Sequence, residues 1–157
     1  MEKIFELLKQ KLNGTWKGEG YAHYPTIVDT GYTEEWIFES DKFKPTIHYH
    51  QKTWYKNDSP QNGQTVFWDA GFILLKDDTI LWVSSQAGGR QETCQLTDAE
   101  SSYVFQSLSF ANDPRMVRSE RILTVAGSSL TYELNMETRE NGKFENHLRA
   151  QLTREAN

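Results

Sequence analysis

Apolar residues follow two different periods along this chain, and the first of them is helical. Within the first dozen residues the apolar positions recur every three or four residues, at Ile4, Phe5, Leu8 and Leu12. This is the spacing of one face of an amphipathic helix. Asn13 and Gly14 follow directly and are typical of helix termination. The pattern predicts a short helix over residues 1–12 that serves as a lid or plug.

From Gly14 onward the apolar period changes to two, which is the period of β-strands. Clusters rich in Asn, Asp, Gly and Pro interrupt the pattern at regular intervals, as they do in hairpin turns. The predicted strands cover residues 14–24, 31–39, 45–55, 64–75, 79–86, 90–96, 101–110, 116–125, 129–138 and 144–153. Short strands joined by tight turns, with no helices between them, favour an all-β fold, either a sandwich or an up-and-down barrel.

Closure into a ten-stranded antiparallel barrel is the better prediction for these strands. Barrel width grows with the number of strands, and at this size the interior has room for one small ligand. The chain has 157 residues, of which 37% are hydrophobic and 13% aromatic, as expected for a soluble globular protein. We therefore expect one domain over 1–157, with the helix at 1–12 and the barrel at 14–154.

Charge and cysteine content limit the expected partners and the expected cellular compartment of the protein. The formal net charge is −5 and Lys and Arg form no cluster, so nucleic acid is not an expected partner. Cys94 is the single cysteine, which excludes an intramolecular disulfide and fits a reducing cytoplasm. The N-terminal residues lack the apolar segment of a secretory signal. The longest apolar run is far shorter than the roughly 20 residues of a spanning helix, so we expect a cytoplasmic protein that does not cross a membrane.

The stretch GTWKGEGYAHYPTI places Gly18 and Gly20 on the same strand face as Trp16. Interior glycines weaken a strand unless the strand bends there or another group must approach its backbone closely. A bend of the barrel wall is the ordinary explanation. Space for a bound molecule on a bare inward face is the alternative, and the two are compatible.

Charged residues of the strands offer few candidates for catalysis. Glu34 and Glu35 are adjacent and point to opposite faces, so they do not form a close carboxylate pair. An inward carboxylate would pair with an inward arginine such as Arg121 or Arg149, and the alternative is a solvated charge. No nucleophile arrangement or phosphate-binding loop is recognisable, so the sequence gives no support to hydrolase or nucleotide chemistry.

The four histidines are His23, His48, His50 and His147. His48 and His50 share a strand face, but no third ligand accompanies them, so a surface or hydrogen-bonded role is expected. Simple alternation in the last strand places His147 on the polar face with Glu145 and Arg149, which predicts exposure to solvent. A barrel whose interior accepts polar groups would reverse that assignment, and periodicity does not choose between the two.

The stretch from Gly14 resembles the signature of the nitrobindin family, Gly-x-Trp-x-Gly-x-Gly-x-Gly-x-Tyr-Pro-x-Ile. The matching positions are Gly14, Trp16, Gly18, Gly20, Tyr24, Pro25 and Ile27, with Ala22 in place of the fourth glycine. Further matches follow in chain order at 32–35, 49–54, 71–73, Arg121, Tyr132, Met136 and 147–150. The resemblance therefore spans nearly the whole chain.

The resemblance implies a barrel of the fatty-acid-binding-protein shape that holds a ferric b-type heme in a fairly exposed pocket at one end. His147 would be the axial iron ligand, Thr26 would contact the heme and Met136 would line the pocket. Nitrobindins bind nitric oxide and convert peroxynitrite to nitrate, so a heme-dependent peroxynitrite isomerase is expected. Relatives associate as dimers, and the apolar face that would serve as the interface consists of Phe144, Leu148 and Leu152.

One departure from the family pattern bears on the site. Many relatives have a histidine and then an acid ahead of the segment at Gly71, where this chain has Phe67 and Asp69. A frequent arginine after that segment is replaced by Leu74. The wall that faces the heme, including Phe67, is therefore expected to be more apolar, which affects heme retention and the binding of anionic ligands.

Phe67 also keeps a second hypothesis open. In this alternative the barrel is a non-heme carrier of a fatty acid or another small apolar ligand, and Arg121 or Arg149 pairs with the ligand's carboxylate. A sensor of heme or nitric oxide is a third, weaker hypothesis, and the sequence identifies no partner for it.

Overall fold

The computed structural model describes residues 1–23 and 29–156. Helix α1 covers Glu2–Leu12. The strands are β1 (Gly14–Ala22), β2 (Thr30–Ser40), β3 (Thr46–Tyr55), β4 (Thr65–Lys76), β5 (Thr79–Gln86), β6 (Gln91–Asp98), β7 (Tyr103–Ala111), β8 (Met116–Ala126), β9 (Ser129–Thr138) and β10 (Glu145–Arg154). Each strand boundary lies within two residues of its predicted position, while the domain limits of 1–157 stay a prediction.

The strands form a closed antiparallel barrel in which each pairs with its neighbours in sequence and β1 pairs with β10. Tight turns allow this meander. Asp77 and Asp78 have φ angles of 50° and 56° in the turn from β4 to β5, and Gly127 has 60° in the turn from β8 to β9. The predicted fold, an all-β ten-stranded up-and-down barrel with a short N-terminal helix, is confirmed.

The glycines of β1 let neighbouring strands approach its backbone. A Cβ atom on Gly18 would lie 1.8 Å from the carbonyl oxygen of Gln151 in β10. A Cβ atom on Gly20 would lie 2.4 Å from the phenol ring of Tyr32 in β2. Both groups belong to the barrel wall, which supports the bend explanation. The alternative that these two positions leave room for a bound molecule is wrong.

Helix α1 covers one end of the barrel, in the position of the lid or plug that the sequence predicts. The helix residues that it buries are Phe5, Leu8 and Leu12. The Trp16 indole donates a hydrogen bond to the Leu12 carbonyl at 2.7 Å, and Arg154 at the end of β10 donates to the Lys11 carbonyl. Since strands β1 and β10 are antiparallel, the beginning of β10 lies at the other end of the barrel. No helix in the described ranges has the length and apolar character needed to span a membrane.

The middle of the barrel is filled by aromatic side chains. The ring centroids of Trp36 and Tyr132 are 4.9 Å apart, and those of Trp36 and Trp82 are 5.9 Å apart. Tyr49 contacts Trp82 at 5.2 Å. All four side chains are almost completely buried, so they supply a large share of the apolar surface removed from water on folding.

The predicted dimer interface is not available at the surface. Leu148 and Leu152 are buried inside the barrel, at 5% and 2% exposure, because they belong to the inward face of β10. Phe144 precedes the strand and packs beneath the Arg118 guanidinium, 4.2 Å from the ring centroid. The assignment of these residues to an interface is therefore wrong, while dimerisation itself stays a prediction.

Gly18→Ala is expected to destabilise the barrel by about 2 kcal/mol or more, because the new methyl group would meet backbone atoms of β10 that cannot move without breaking strand pairing. Urea unfolding of the two proteins measures the difference. Gly88→Ala is the matched control, since a Cβ atom at Gly88 meets nothing within 4 Å. Equal losses for both variants would contradict the close approach at Gly18.

Candidate functional site

A cavity of about 390 Å³ opens at the end of the barrel opposite helix α1. It is lined by Phe67, Gln86, Arg90, Asp113, Arg115, Met116, Met136, Thr138, Glu140, Asn141 and His147. This volume lies within the range of small-molecule sites in proteins. The cavity combines apolar side chains with several cationic and polar groups. It therefore suits a ligand that has an apolar body and polar groups.

His147 enters this cavity because β10 contains a β-bulge. Asn146 pairs with Asn135 and Leu148 pairs with Leu134, so His147 is the extra residue of the bulge. The bulge turns the side chain inward, and His147 is 2% exposed. The prediction that simple alternation places His147 on the solvent face is wrong, because alternation is interrupted at this residue.

The bulge is held by side-chain and backbone hydrogen bonds. The Asn146 amide donates to the Leu148 carbonyl at 3.1 Å and to the Asn135 side-chain oxygen at 3.1 Å. The backbone N–H of His23 donates to the His147 carbonyl at 2.6 Å. These bonds hold backbone groups that a regular ladder would otherwise pair, so the orientation of His147 rests on several contacts.

The environment of His147 favours its neutral form. Burial lowers the pKa of the imidazole below its usual value, the carboxylate of Glu145 opposes this shift, and the positive charge of Arg90 adds to it. A neutral imidazole has a lone pair available for a metal ion. His147 is therefore suited to ligation at neutral pH.

The wall opposite His147 is formed by β4, β5 and the residue before β6. In the closed order β5 is five strands from β10 in either direction. Phe67 at the start of β4, Gln86 at the end of β5 and Arg90 just before β6 all line the cavity. This wall therefore offers an apolar ring, an amide and a guanidinium to a ligand in the cavity.

The structure brings together three of the four residues predicted for the site. His147, Met136 and Phe67 line the same cavity. Met136 is 4% exposed and lies on β9, next to the strand of His147. Thr26 lies outside the described residues. The sequence analysis did not identify Met116 or Arg90, and neither belongs to a recognisable motif. Arg90 directly follows the Gly88-Gly89 turn, and this gives no sign that it faces His147.

A buried ionic network lies beneath the cavity. Arg121 donates to Asp69 at 3.0 Å and to Glu92 at 2.7 Å, and these three side chains are 0–2% exposed. Ser84 and Tyr49 donate to Asp69 at 2.7 and 3.0 Å. Burial raises the pKa of Glu92, but the Arg121 charge and the hydrogen bonds of Ser119 and Arg121 hold it below its usual value. Glu92 and Arg121 therefore form a buried ion pair.

The network forms the floor of the cavity. Asp69, Ser84 and Glu92 share an inward strand face with three cavity-lining residues, each two positions away: Phe67, Gln86 and Arg90. Charged groups that are fully paired resist the entry of a further charge, because a ligand would have to break an existing buried ion pair. The floor therefore disfavours a charged ligand group at this depth.

Neither arginine of the carrier hypothesis is placed to bind a fatty acid inside the barrel. Arg121 donates through Nε to Glu92, through Nη1 to Asp69 and through Nη2 to Ser84. Arg149 is 60% exposed on the outer surface, 3.5 Å from Glu133. A free carboxylate would find no uncommitted guanidinium on either residue.

Glu34 is buried and its hydrogen-bond donors are Trp36 and Gln51, so neither sequence alternative, a solvated charge or a pair with an arginine, describes it. Its side chain is 2% exposed and accepts hydrogen bonds from the Trp36 indole at 2.8 Å and from the Gln51 amide at 2.5 Å. Burial raises the pKa of Glu34 to about 7, although the bonds from Gln51 and Trp36 oppose this shift. Glu34 is therefore a titratable group in the barrel wall.

The remaining histidines lie away from the cavity. His50 accepts a hydrogen bond from the Trp68 indole at 2.5 Å, and His23 lies 3.1 Å from Asp29. Within residues 1–23 and 29–156, no group of three or more His, Cys, Asp or Glu side chains is arranged to hold a metal ion. His50 thus has the hydrogen-bonded role that its spacing with His48 predicts.

Comparisons with known proteins bear on the family and the fold of this chain. A family model described as the THAP4-like, heme-binding β-barrel domain matches residues 8–154. Peroxynitrite isomerase 1 of Rhodococcus jostii is 33% identical over 127 residues, 78% of this chain and 69% of that protein. Peroxynitrite isomerase Rv2717c of Arabidopsis thaliana is 32% identical over 144 residues, 90% of this chain and 83% of that protein. The crystal structure of Rv2717c from M. tuberculosis has a TM-score of 0.79, at 22% identity and with 98% of both chains covered, which shows a common fold.

Glu34→Gln is expected to change how stability depends on pH. The pKa of Glu34 in the folded protein is about 7, above the ordinary value of 4.5. The free energy of unfolding of the wild type should therefore fall as pH rises from 4.5 to about 7, and should change no further from this cause at higher pH. The glutamine side chain does not titrate, so the stability of the variant relative to the wild type should increase by roughly 3 kcal/mol across that window. Urea unfolding between about pH 4.5 and pH 8 measures this.

Glu35→Gln on the opposite face is the matched control and should follow the wild type over the same pH range. A stability difference between Glu34→Gln and the wild type that stays constant with pH would contradict a buried, titrating Glu34.

Proposed function

Because this chain belongs to the family of THAP4-like heme-binding β-barrel domains, the nitrobindins, we propose that it holds a ferric b-type heme through His147 and isomerises peroxynitrite to nitrate. The observation that carries the proposal is the buried imidazole of His147, which the bulge in β10 turns into the cavity. Relatives named peroxynitrite isomerase supply the reaction.

The cavity residues fit a heme. Phe67, Met116 and Met136 provide an apolar lining for a flat macrocycle, and thioether and aromatic side chains pack well against such a surface. His147 provides one nitrogen ligand in the neutral form that iron requires. The mouth of the cavity is open to water, which would suit the carboxylates of a heme.

The protein's part in the reaction is to bind, orient and exclude water. A bound ferric heme would supply a Lewis-acidic iron for this isomerisation, in which the O–O bond of peroxynitrite breaks and a new N–O bond forms. His147 would hold the iron through an imidazole nitrogen, and the rest of the cavity would admit a small molecule such as peroxynitrite or nitric oxide. The aromatic middle of the barrel and the ionic floor separate this site from the far end, and no protein nucleophile is needed.

The cytoplasmic location is also a proposal. It rests on Cys94, the single cysteine, which is free and buried. A protein that uses no disulfide suits a reducing compartment, in which its thiol stays unmodified.

His147→Ala is expected to abolish stoichiometric heme binding, because the axial nitrogen is lost while the rest of the cavity remains. The variant and the wild type are mixed with hemin and desalted, and the Soret absorption per protein is measured. We expect a Soret band in the wild type and a fall in heme affinity of at least about 100-fold in the variant. His50→Ala on the outer surface is the matched control and should bind like the wild type.

The wild type loaded with heme is then mixed with peroxynitrite, and nitrate yield and decay rate are compared with the heme-free protein. Equal heme uptake by the wild type and His147→Ala would overturn the axial assignment. Heme uptake without faster peroxynitrite decay would show that the protein binds heme and would contradict the isomerase activity.

A further inference from the structure

Arg90 occupies an unusual position on the cavity wall. It directly precedes β6, where its backbone carbonyl accepts a hydrogen bond from Gln86 at 2.9 Å. The preceding residue, Gly89, accepts a hydrogen bond from the side chain of Asn112 in the next hairpin turn, at 3.1 Å. These bonds hold the backbone at Arg90 in place. Its side chain is 16% exposed and lines the cavity.

The guanidinium of Arg90 is only partly used. Its Nη1 donates to Asp113 at 3.3 Å and contacts the Met116 sulfur at 3.2 Å. Its Nε is buried and has no hydrogen-bond partner among the residues that the structure describes. A half-buried guanidinium with a free N–H group is a strong donor for an anion.

The nearby carboxylates cancel only part of this charge. Asp113 accepts two hydrogen bonds from Arg115, at 3.0 and 3.1 Å, and these are shorter than its bond from Arg90. Arg115 therefore neutralises Asp113 first. Glu140 also lines the cavity, but it is exposed to water, which screens its charge.

We propose that Arg90 forms an anion subsite on the cavity wall opposite His147, and that it binds small oxyanions such as peroxynitrite or nitrate by hydrogen bonds from its guanidinium. The proposal deepens the proposed function and rests on it. Phe67 makes the neighbouring part of this wall apolar, and Arg90 adds a cationic donor from the turn between β5 and β6. Arg90 is thus a specificity-determining residue for anionic over neutral ligands.

Azide is an anion and imidazole is neutral. Comparing their binding therefore distinguishes anion binding by Arg90 from a purely structural role of this side chain. Both are titrated into the heme-loaded protein, and the shift of the Soret band gives each Kd. Arg90→Gln should weaken azide binding by roughly ten-fold or more and leave imidazole binding unchanged. Arg90→Lys retains the charge and should recover part of the azide affinity.

Arg118→Gln is the matched control, since Arg118 is 58% exposed and pairs with Glu137 away from the cavity. It should bind azide like the wild type. Equal azide affinity in the wild type and Arg90→Gln would overturn the proposal. So would poor hemin uptake by Arg90→Gln that is cured by hemin dimethyl ester, because Arg90 would then serve the heme carboxylates.

A wild type that takes up no hemin would show that the proposed function fails, whatever the role of Arg90. In that case nitrate is added to the heme-free protein, and the Arg90 Nε–H resonance is followed by NMR. A saturable shift that is absent in the spectrum of Arg90→Gln would support the subsite in the apo protein. No shift in the wild type would overturn it.

Discussion

The pairing of β1 with β10 is the constraint on which the rest of this molecule depends. It closes the sheet, so that the first and last strands each have a neighbour on both sides. The pairing requires the backbone of β10 to pass closer to Gly18 than any side chain would permit. The glycines of β1 are therefore part of barrel closure, and closure creates the interior in which the site lies.

Closure also divides the interior into layers with different chemistry. Helix α1 covers one end and buries its apolar face there. Aromatic rings around Trp36 and Trp82 fill the middle. The ionic network around Arg121 is buried and paired, and it lies beneath the cavity lined by His147. Such a network is costly to break once it is desolvated, so the open end is the part of the barrel most accessible to a ligand.

A local irregularity then determines what the cavity can do. Without the bulge in β10, the alternation of the strand would point His147 to the outside and leave the cavity without a nitrogen ligand. The bulge places two consecutive buried residues, His147 and Leu148, on the inward face. Bulges recur beside functional sites because they re-aim one side chain at the cost of a single ladder position. The bulge at His147 re-aims a side chain into the cavity in this way.

The sequence by itself determined the elements, the closed fold and the family. Period-two alternation and turn residues are local signals, and they located the strands to within two residues. The resemblance to nitrobindins selected His147, Met136 and Phe67, which the barrel brings to one cavity.

Only the tertiary structure decided which way His147 faces, where Arg121 pairs and that Arg90 lies across from His147. The bulge depends on the register between β9 and β10, and Arg121 pairs with residues 52 and 29 positions away in sequence. Neither relation is encoded in the period of a single strand. Such contacts exist because closure brings distant segments together, and a local pattern carries no information about which segments those are.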